Sequence, residues 1–440
     1  MNALTPGGSD LAMLLATGCI LLIPLAIAGI ALINTGLGRS RNSAHLMMSS
    51  LCVVGIAAAF YVIFGFAWQG LAGGPARVVS VAGKNWNWIG KAPLFLKGVT
   101  ASPVLLTAWM QSLCVALTAL IPTGGTAERW RLGSTCASTA ILSSITYPLF
   151  AHWAWGGGWL ATLGIDYGLG RGFVDAGGSG VIHTVGGLTA LALVWILGPR
   201  RGKYTADGMP TAIPAHNAVF VLFGCLLAWA GWLGLNISGA VLLNGVDPRS
   251  AGLIGINTTL AGGSAALMTA IVTRIRFSRP DASLTANGWV AGLVAASAGC
   301  AFVPPAAAIL IGLIAGLLAP LAIEILEARL SVDDPGGAIS VHAIGGLWGL
   351  MAVGIFARFP TDVLVGRGSG DSGQWVAQLV GAATLVGFIL PLSYGSNWML
   401  NRFLPHRVTQ DGERQGLDLH ELGAGAYPEF VTHSEEFFQR

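Results

Sequence analysis

The chain has 440 residues, of which 54% are hydrophobic and only 10% charged, and its formal net charge is +3. Soluble domains carry roughly a quarter charged residues, so this composition excludes an ordinary soluble protein, and the lack of long basic tracts excludes a nucleic-acid binder of that kind. A mean hydropathy of +0.69 marks a polytopic membrane protein.

A bilayer core is crossed by about 20 mostly apolar residues per helix. The chain reads as eleven such segments, at about 10–35, 43–69, 103–122, 131–154, 177–199, 214–236, 251–274, 286–300, 303–326, 338–360 and 376–400. "MNALTPGGSD" ahead of the first span lacks the basic residues a signal peptide needs, so that span is expected to stay in the mature chain. The eighth span is short and is divided from the ninth only by the turn "SAGCAFVPP". An odd number of spans puts the termini on opposite sides. With the N-terminus outside, inner loops and tail hold fifteen of the 23 Lys and Arg residues, and the positive-inside rule then gives N-out, C-in. The expected fold is an all-α membrane protein, with one transmembrane domain at 1–400 and a polar cytoplasmic tail at 401–440.

The six cysteines, Cys19, Cys52, Cys114, Cys136, Cys225 and Cys300, fall in or at the ends of spans without C-x-x-C spacing. They read as packing residues rather than disulfides or a metal site.

Two stretches nearly repeat: "DAGGSGVIHTVGGL" from Asp175 and "DPGGAISVHAIGGL" from Asp334. They open the fifth and tenth spans. Five spans apart means opposite directions through the membrane, which is the mark of inverted repeats, here about 10–199 and 214–360 with the eleventh span outside them. Each Asp can cap its helix; if Asp175 did no more than that, Asn should replace it well. Eight residues at about 1.5 Å each bring His183 and His342 about 12 Å inward from opposite faces. In a core of about 30 Å the two imidazoles then meet near the midplane. Gly187 and Gly346, four residues after each His, leave room for backbones to approach. Ionisable groups at membrane depth usually line a pathway, whereas Asp333 and Asp334 read as caps and inner-surface structure.

At these residues the chain resembles the ammonium transporter family (Amt/Mep/Rh). The likeness includes "AHWAWGGGW" (151–159) with Asp175 and "GVIH", and "VDDPGGAISVHAIGG" (332–346). "GLGRSRN" (36–42), "TAERWR" (126–131), "GWLGLN" (231–236) and "GLDLHELGAGAY" (416–427) agree in position. The resemblance implies a homotrimer with one pore per subunit, embedded in lipid as a multi-pass protein of the plasma membrane (the bacterial inner membrane). Ammonium would be recruited outside, lose its proton, and cross as ammonia past the twin histidines; methylammonium is a candidate second substrate. It implies that Trp155 holds the cation through its ring and that Asp175 is the acid below the vestibule. No cofactor, no resident metal and no enzymatic activity are implied, and the tail can receive a P-II-type regulatory protein.

The sequence departs from the family at the outer pore. Cys114 and Leu235 stand where two phenylalanines usually form a gate, and Gly239, beside Ser238, stands where a vestibule Ser is common. Extra residues around "GIDYGLGRG" separate Trp155 from Asp175. The tail has Leu422 and Ala424 where a His and an acidic residue are common. Two other readings stand beside transport: an ammonium sensor with little flux, and a hydrolytic zinc site on His183, His342 and Asp175. Against the last, the acid lies about 12 Å along the helix from its own His, and no HExxH or nucleophile motif is present.

Overall fold

The computed structural model describes residues 9–73, 76–359 and 373–427. Expectations for the extreme N-terminus and for the tail beyond 427 lie outside the described residues. Among these, nine helical rods are long and apolar enough to cross a membrane: Asp10–Leu37, Ser40–Gln69, Ser102–Gly125, Ser179–Leu197, Ala218–Asn244, Pro248–Phe277, Pro305–Leu330, Ile339–Phe356 and Gly373–Phe403. The other two expected spans are also helical. Leu132–Ile141, Leu142–Thr146 and Tyr147–Trp155 run on from one another where the fourth was expected, with serines and threonines lowering the hydropathy. Ala282–Ser297, in place of the eighth, has 16 residues, short for a bilayer crossing.

The protein is predominantly helical rather than all-α. In the long loop after the second rod, strand β1 (Ala76–Val81) pairs antiparallel with β2 (Lys84–Gly90). Ala82 (φ 49°) and Gly83 (φ 75°) both adopt the left-handed backbone that a two-residue hairpin turn requires. Open strand edges are barred from hydrocarbon but not from water, so a hairpin can form only in such a loop. It packs down on the first half of the chain: Trp86 stacks on Trp159 at 4.3 Å, and the Trp153 indole donates to the Trp88 carbonyl at 2.8 Å.

The two repeated stretches meet in reciprocal contacts. A Cβ on Gly187 would lie 2.3 Å from the backbone nitrogen of Ala343, the residue after His342. A Cβ on Gly346 would lie 2.3 Å from Oγ1 of Thr184, the residue after His183. Neither position can take a side chain, because each helix seats its Gly on the residue that follows the other's His. The helices themselves open in the same way. Ser179–Thr184 and Ile339–Ile344 are π-helical turns, each containing its His, followed by the α-helices Val185–Leu197 and Gly345–Phe356. Such wide turns recur at functional sites, and no sequence period announces them.

At the face that carries the tail, buried charges tie the loops together. Arg200 donates through Nε and Nη2 to the two Asp333 oxygens, at 2.9 Å each, and through Nη1 to Glu128 at 2.9 Å. Arg39 also pairs with Glu128, and Arg129 donates to the backbone carbonyls of Gly198 and Asp333 at 2.8 Å. Burial alone would raise the Asp333 carboxyl, but the Arg129 and Arg200 charges outweigh it and hold it down at about 2.

The tail folds onto this face of the same chain. Asp418 accepts from the amides of Ala44 (3.2 Å) and His45 (2.8 Å), and Glu421 accepts from the Leu132 amide at 2.9 Å. Two tail acids thus cap the starts of two helices, a use of carboxylates that the positive end of a helix favours.

Candidate functional site

The two wide turns bring the histidines face to face. Nδ1 of His183 lies 3.3 Å from Nδ1 of His342, with ring centroids 5.3 Å apart and planes tilted by 31°. A neutral imidazole donates from one nitrogen and accepts at the other, so this contact requires one ring protonated at Nδ1 and its partner accepting there. Nε2 of His183 is fully buried and has no protein partner. Its hydrogen-bonding capacity is free for a small polar visitor.

Trp232 fixes the His183 ring. The two stack at 4.9 Å with 8° between planes, and the Trp232 indole donates to Ser297 Oγ at 3.2 Å. "GWLGLN" was read as a family match without singling out Trp232, although an indole three residues before Leu235 on one helix is a visible signal.

Asp175 is placed by the turn geometry. The helix starts at Ser179 rather than at the acid, after Gly178 in the left-handed region (φ 95°). Asp175 accepts from the amides of Gly178 (3.0 Å), Gly180 (2.9 Å) and Val181 (2.9 Å). Both oxygens are committed to orphan amides of a helix start. Asp334 repeats the arrangement with Ala338 (2.9 Å) and Ile339 (2.7 Å). The simple expectation that Asn could stand in for Asp175 is therefore revised, since an amide has only one acceptor oxygen.

Trp155 is buried, and its indole donates to the Asp175 backbone carbonyl at 2.7 Å. The structure brings these two together despite the extra residues between them, which form the short helix Leu163–Tyr167 and a loop held by Gln374. Cys114 and Leu235 are each 1% exposed and belong to one continuous apolar core. Ser238 donates back to the Gly234 carbonyl of its own helix at 2.7 Å. Gly239 could not carry a side chain, since its Cβ would lie 2.7 Å from the Ala176 carbonyl oxygen. Among the described residues no three His, Cys, Asp or Glu side chains gather closely enough to hold a metal.

The comparisons with known proteins decide the family. The model of the Ammonium Transporter Family matches residues 12–427. The chain is a member of the ammonium transporter family. It is 36% identical to the ammonium transporter Amt2 of Archaeoglobus fulgidus over 434 residues, covering 95% of this chain and 88% of that one. It is 32% identical to the ammonium transporter of Bacillus subtilis over 420 residues, covering 93% and 96%. Among solved structures it resembles one titled Sensor Amt Protein, with a TM-score of 0.83 and 30% identity over 94% of this chain and 98% of that one. The Candida albicans Mep2 structure shares the fold, with a TM-score of 0.79 at 23% identity over 95% and 90%. This is a family of transporters and not of enzymes, and the hydrolase reading falls with that.

Proposed function

We propose that this ammonium transporter family member carries ammonium nitrogen through a pore in each subunit of a homotrimer, using His183 and His342 as its midplane station. The observation that carries the reading is the buried imidazole pair with one nitrogen unpartnered. An ammonium ion in hydrocarbon is expensive, whereas ammonia needs only a hydrogen-bonding partner on the way. The ion gives up its proton to solvent water in the outer half, near Trp155 and Asp175. Ammonia then passes Cys114 and Leu235 to reach the free edge of His183, and the paired Nδ1 atoms can relay a proton by exchanging donor and acceptor roles. Trp155 acts through its ring face, because its N–H is spent on the Asp175 carbonyl. Asp175 acts chiefly by holding that outer corner in shape.

The chain lies in a plasma membrane with eleven spans, N-terminus outside and tail inside. The Arg-rich face holding Arg39, Arg129 and Arg200 is the one the tail covers, in keeping with the positive-inside rule. A P-II-type protein would meet that face. The test is ammonium-driven current and pH change recorded on the same proteoliposomes: wild type should carry flux, and His183→Ala and His342→Ala should abolish it. Full flux in both Ala variants would end the twin-histidine reading.

A second reading is a sensor with little flux. It is favoured by one specific likeness, the match to a protein titled as a sensor across nearly all of both chains. Saturable ammonium binding without current, by calorimetry on purified protein, would select it over transport.

A further inference from the structure

We propose that Gln111 is a second hydrogen-bonding station in the outer half of the pathway, one that takes an uncharged, lone-pair-bearing molecule, ammonia or water, and turns ammonium away. The proposal rests on the transport reading for its place along a route, but not for its chemistry.

Gln111 lies one turn before Cys114 on the Ser102–Gly125 helix and is wholly buried. Its Oε1 accepts from Tyr147 Oη at 2.6 Å and from Gln69 Nε2 at 3.0 Å. Gln69 Oε1 in turn accepts from Tyr61 Oη at 2.5 Å. Two phenols and two amides thus lock the Gln111 side chain in one orientation. Its Nε2 is left fully buried with no partner. Leaving such a donor dry is costly, and native structures normally pair it with a molecule that accepts.

The cluster is next to the candidate pathway. Its helix and that of Tyr147 both pack on the π-turn bearing His183. What the free edge offers is N–H. Ammonia and water each have a lone pair to accept it; ammonium has none and would meet the positive end of the amide dipole. A donor at this level therefore places deprotonation outward of Gln111. At this level the chain has a small thiol at Cys114 backed by an amide network, so exclusion of the cation is achieved by polarity.

Two variants separate this role from packing. Gln111→Glu keeps an oxygen to accept from Tyr147 and Gln69 and turns the free edge from donor to acceptor. Gln111→Met keeps the length and removes the edge. In proteoliposomes with an inward ammonium chloride gradient, Gln111→Glu should bind ammonium more tightly while its maximal rate falls about tenfold, the worth of one ordinary hydrogen bond. Gln111→Met should lose a similar factor in rate with little change in affinity. Wild-type rate and affinity in Gln111→Glu would overturn the proposal. A high-resolution map of wild-type protein in ammonium-free buffer supplies an arm that needs no flux. It should show one solvent-sized peak within hydrogen-bond distance of Gln111 Nε2, absent from Gln111→Met. A dry Nε2, or an amide reversed to present its oxygen, would overturn the station even if transport is sound. A wild type without flux but with that peak would instead sink only the transport reading.

Discussion

The repeated phrase meets two different surroundings. Around Asp175 the partners are neutral groups: three backbone amides on the carboxylate, the Trp155 indole on the carbonyl, and Gln378 bridging to the backbone of Val174 at 2.8 Å in both directions. At Asp334 the same kind of cap sits beside Asp333, which is held by Arg200 and joined through it to Glu128. At Asp175 the buried carboxylate is satisfied by neutral hydrogen bonds, without a side-chain cation in the network. Ion pairs, in contrast, brace the opposite end, where loops from both halves and the tail must be held together. One sequence device thus sits in a neutral hydrogen-bond network in one place and in an ion-pair network in the other.

The comparison is broken most severely at the point both ends share. His183→Ala and His342→Ala should each lower ammonium-driven current by about a hundredfold or more, on the scale expected when a group acting on the passing proton is removed. Carboxylate replacements, which can hold a charge at that depth, should retain conduction with altered ion selectivity. Proteoliposome current with sodium, potassium and ammonium gradients reads both outcomes.

Next in size is the braced end. Arg200→Ala leaves buried Asp333 without its bidentate partner and buried Glu128 with Arg39, a change that costs about 3–5 kcal/mol, and should show as a large drop in detergent-solubilised melting temperature. pH supplies the complementary reading. The Asp333 carboxyl is depressed to about 2 in the folded protein, below the ordinary value of about 3.9. Its contribution is therefore fully present above about pH 4 and is lost as pH falls towards 2. Asp333→Asn should remove that acid-range dependence, so a wild-type slope between these pH values in the Asn variant would show that the ion pairs do not brace this end.

The two caps provide a like-for-like contrast of smaller size. Asp175→Asn and Asp334→Asn each keep one acceptor and turn an NH2 group towards a backbone amide, costing about 1–3 kcal/mol. The Asp175 variant should lose more, since its carboxylate serves three amides against two. Equal melting temperatures for the two variants would mean that the outer corner is held elsewhere, with Gln374 and Gln378 as the remaining candidates.

Much of this was legible in the sequence because it is periodic or repeated. Spans follow from runs of apolar residues, and the matched spacing of the two repeated stretches points to the meeting of His183 with His342. The seats for Gly187 and Gly346 follow from the same spacing. Other features have no such pattern. The hairpin rests on a seven-residue strand rich in Trp and Asn, which no apolar run marks, and the widened turns add a residue to the helical ring without any change in hydropathy. The Gln69, Gln111, Tyr61 and Tyr147 cluster is drawn from three separate stretches of chain. Each member looks like a lone polar residue in an apolar span, and only folding reveals that they answer one another. The departure at Cys114 was visible, but the amide network behind it was not.

The smallest expected effect concerns the tail, on the braced side of the comparison. Asp418 caps the helix that begins at Ser43 by accepting from Ala44 and His45, and the adjoining Leu417 amide donates to Asn42 Oδ1 at 2.9 Å. Gly416 lies at φ 100°, where a Cβ would meet the Arg41 carbonyl oxygen at 2.6 Å, so the chain is threaded closely past the loop it fastens. Removing a helix cap costs about 1 kcal/mol. Asp418→Ala should accordingly lower the melting temperature by only a few degrees, because Glu421 on Leu132 and Arg407 on the Leu197 and Pro199 carbonyls remain. Double replacement of Asp418 and Glu421 should exceed the sum of the singles if the tail lets go as one piece. Strict additivity in the melting temperatures would mean that each acid merely caps its own helix, and the tail would then not be a brace at all.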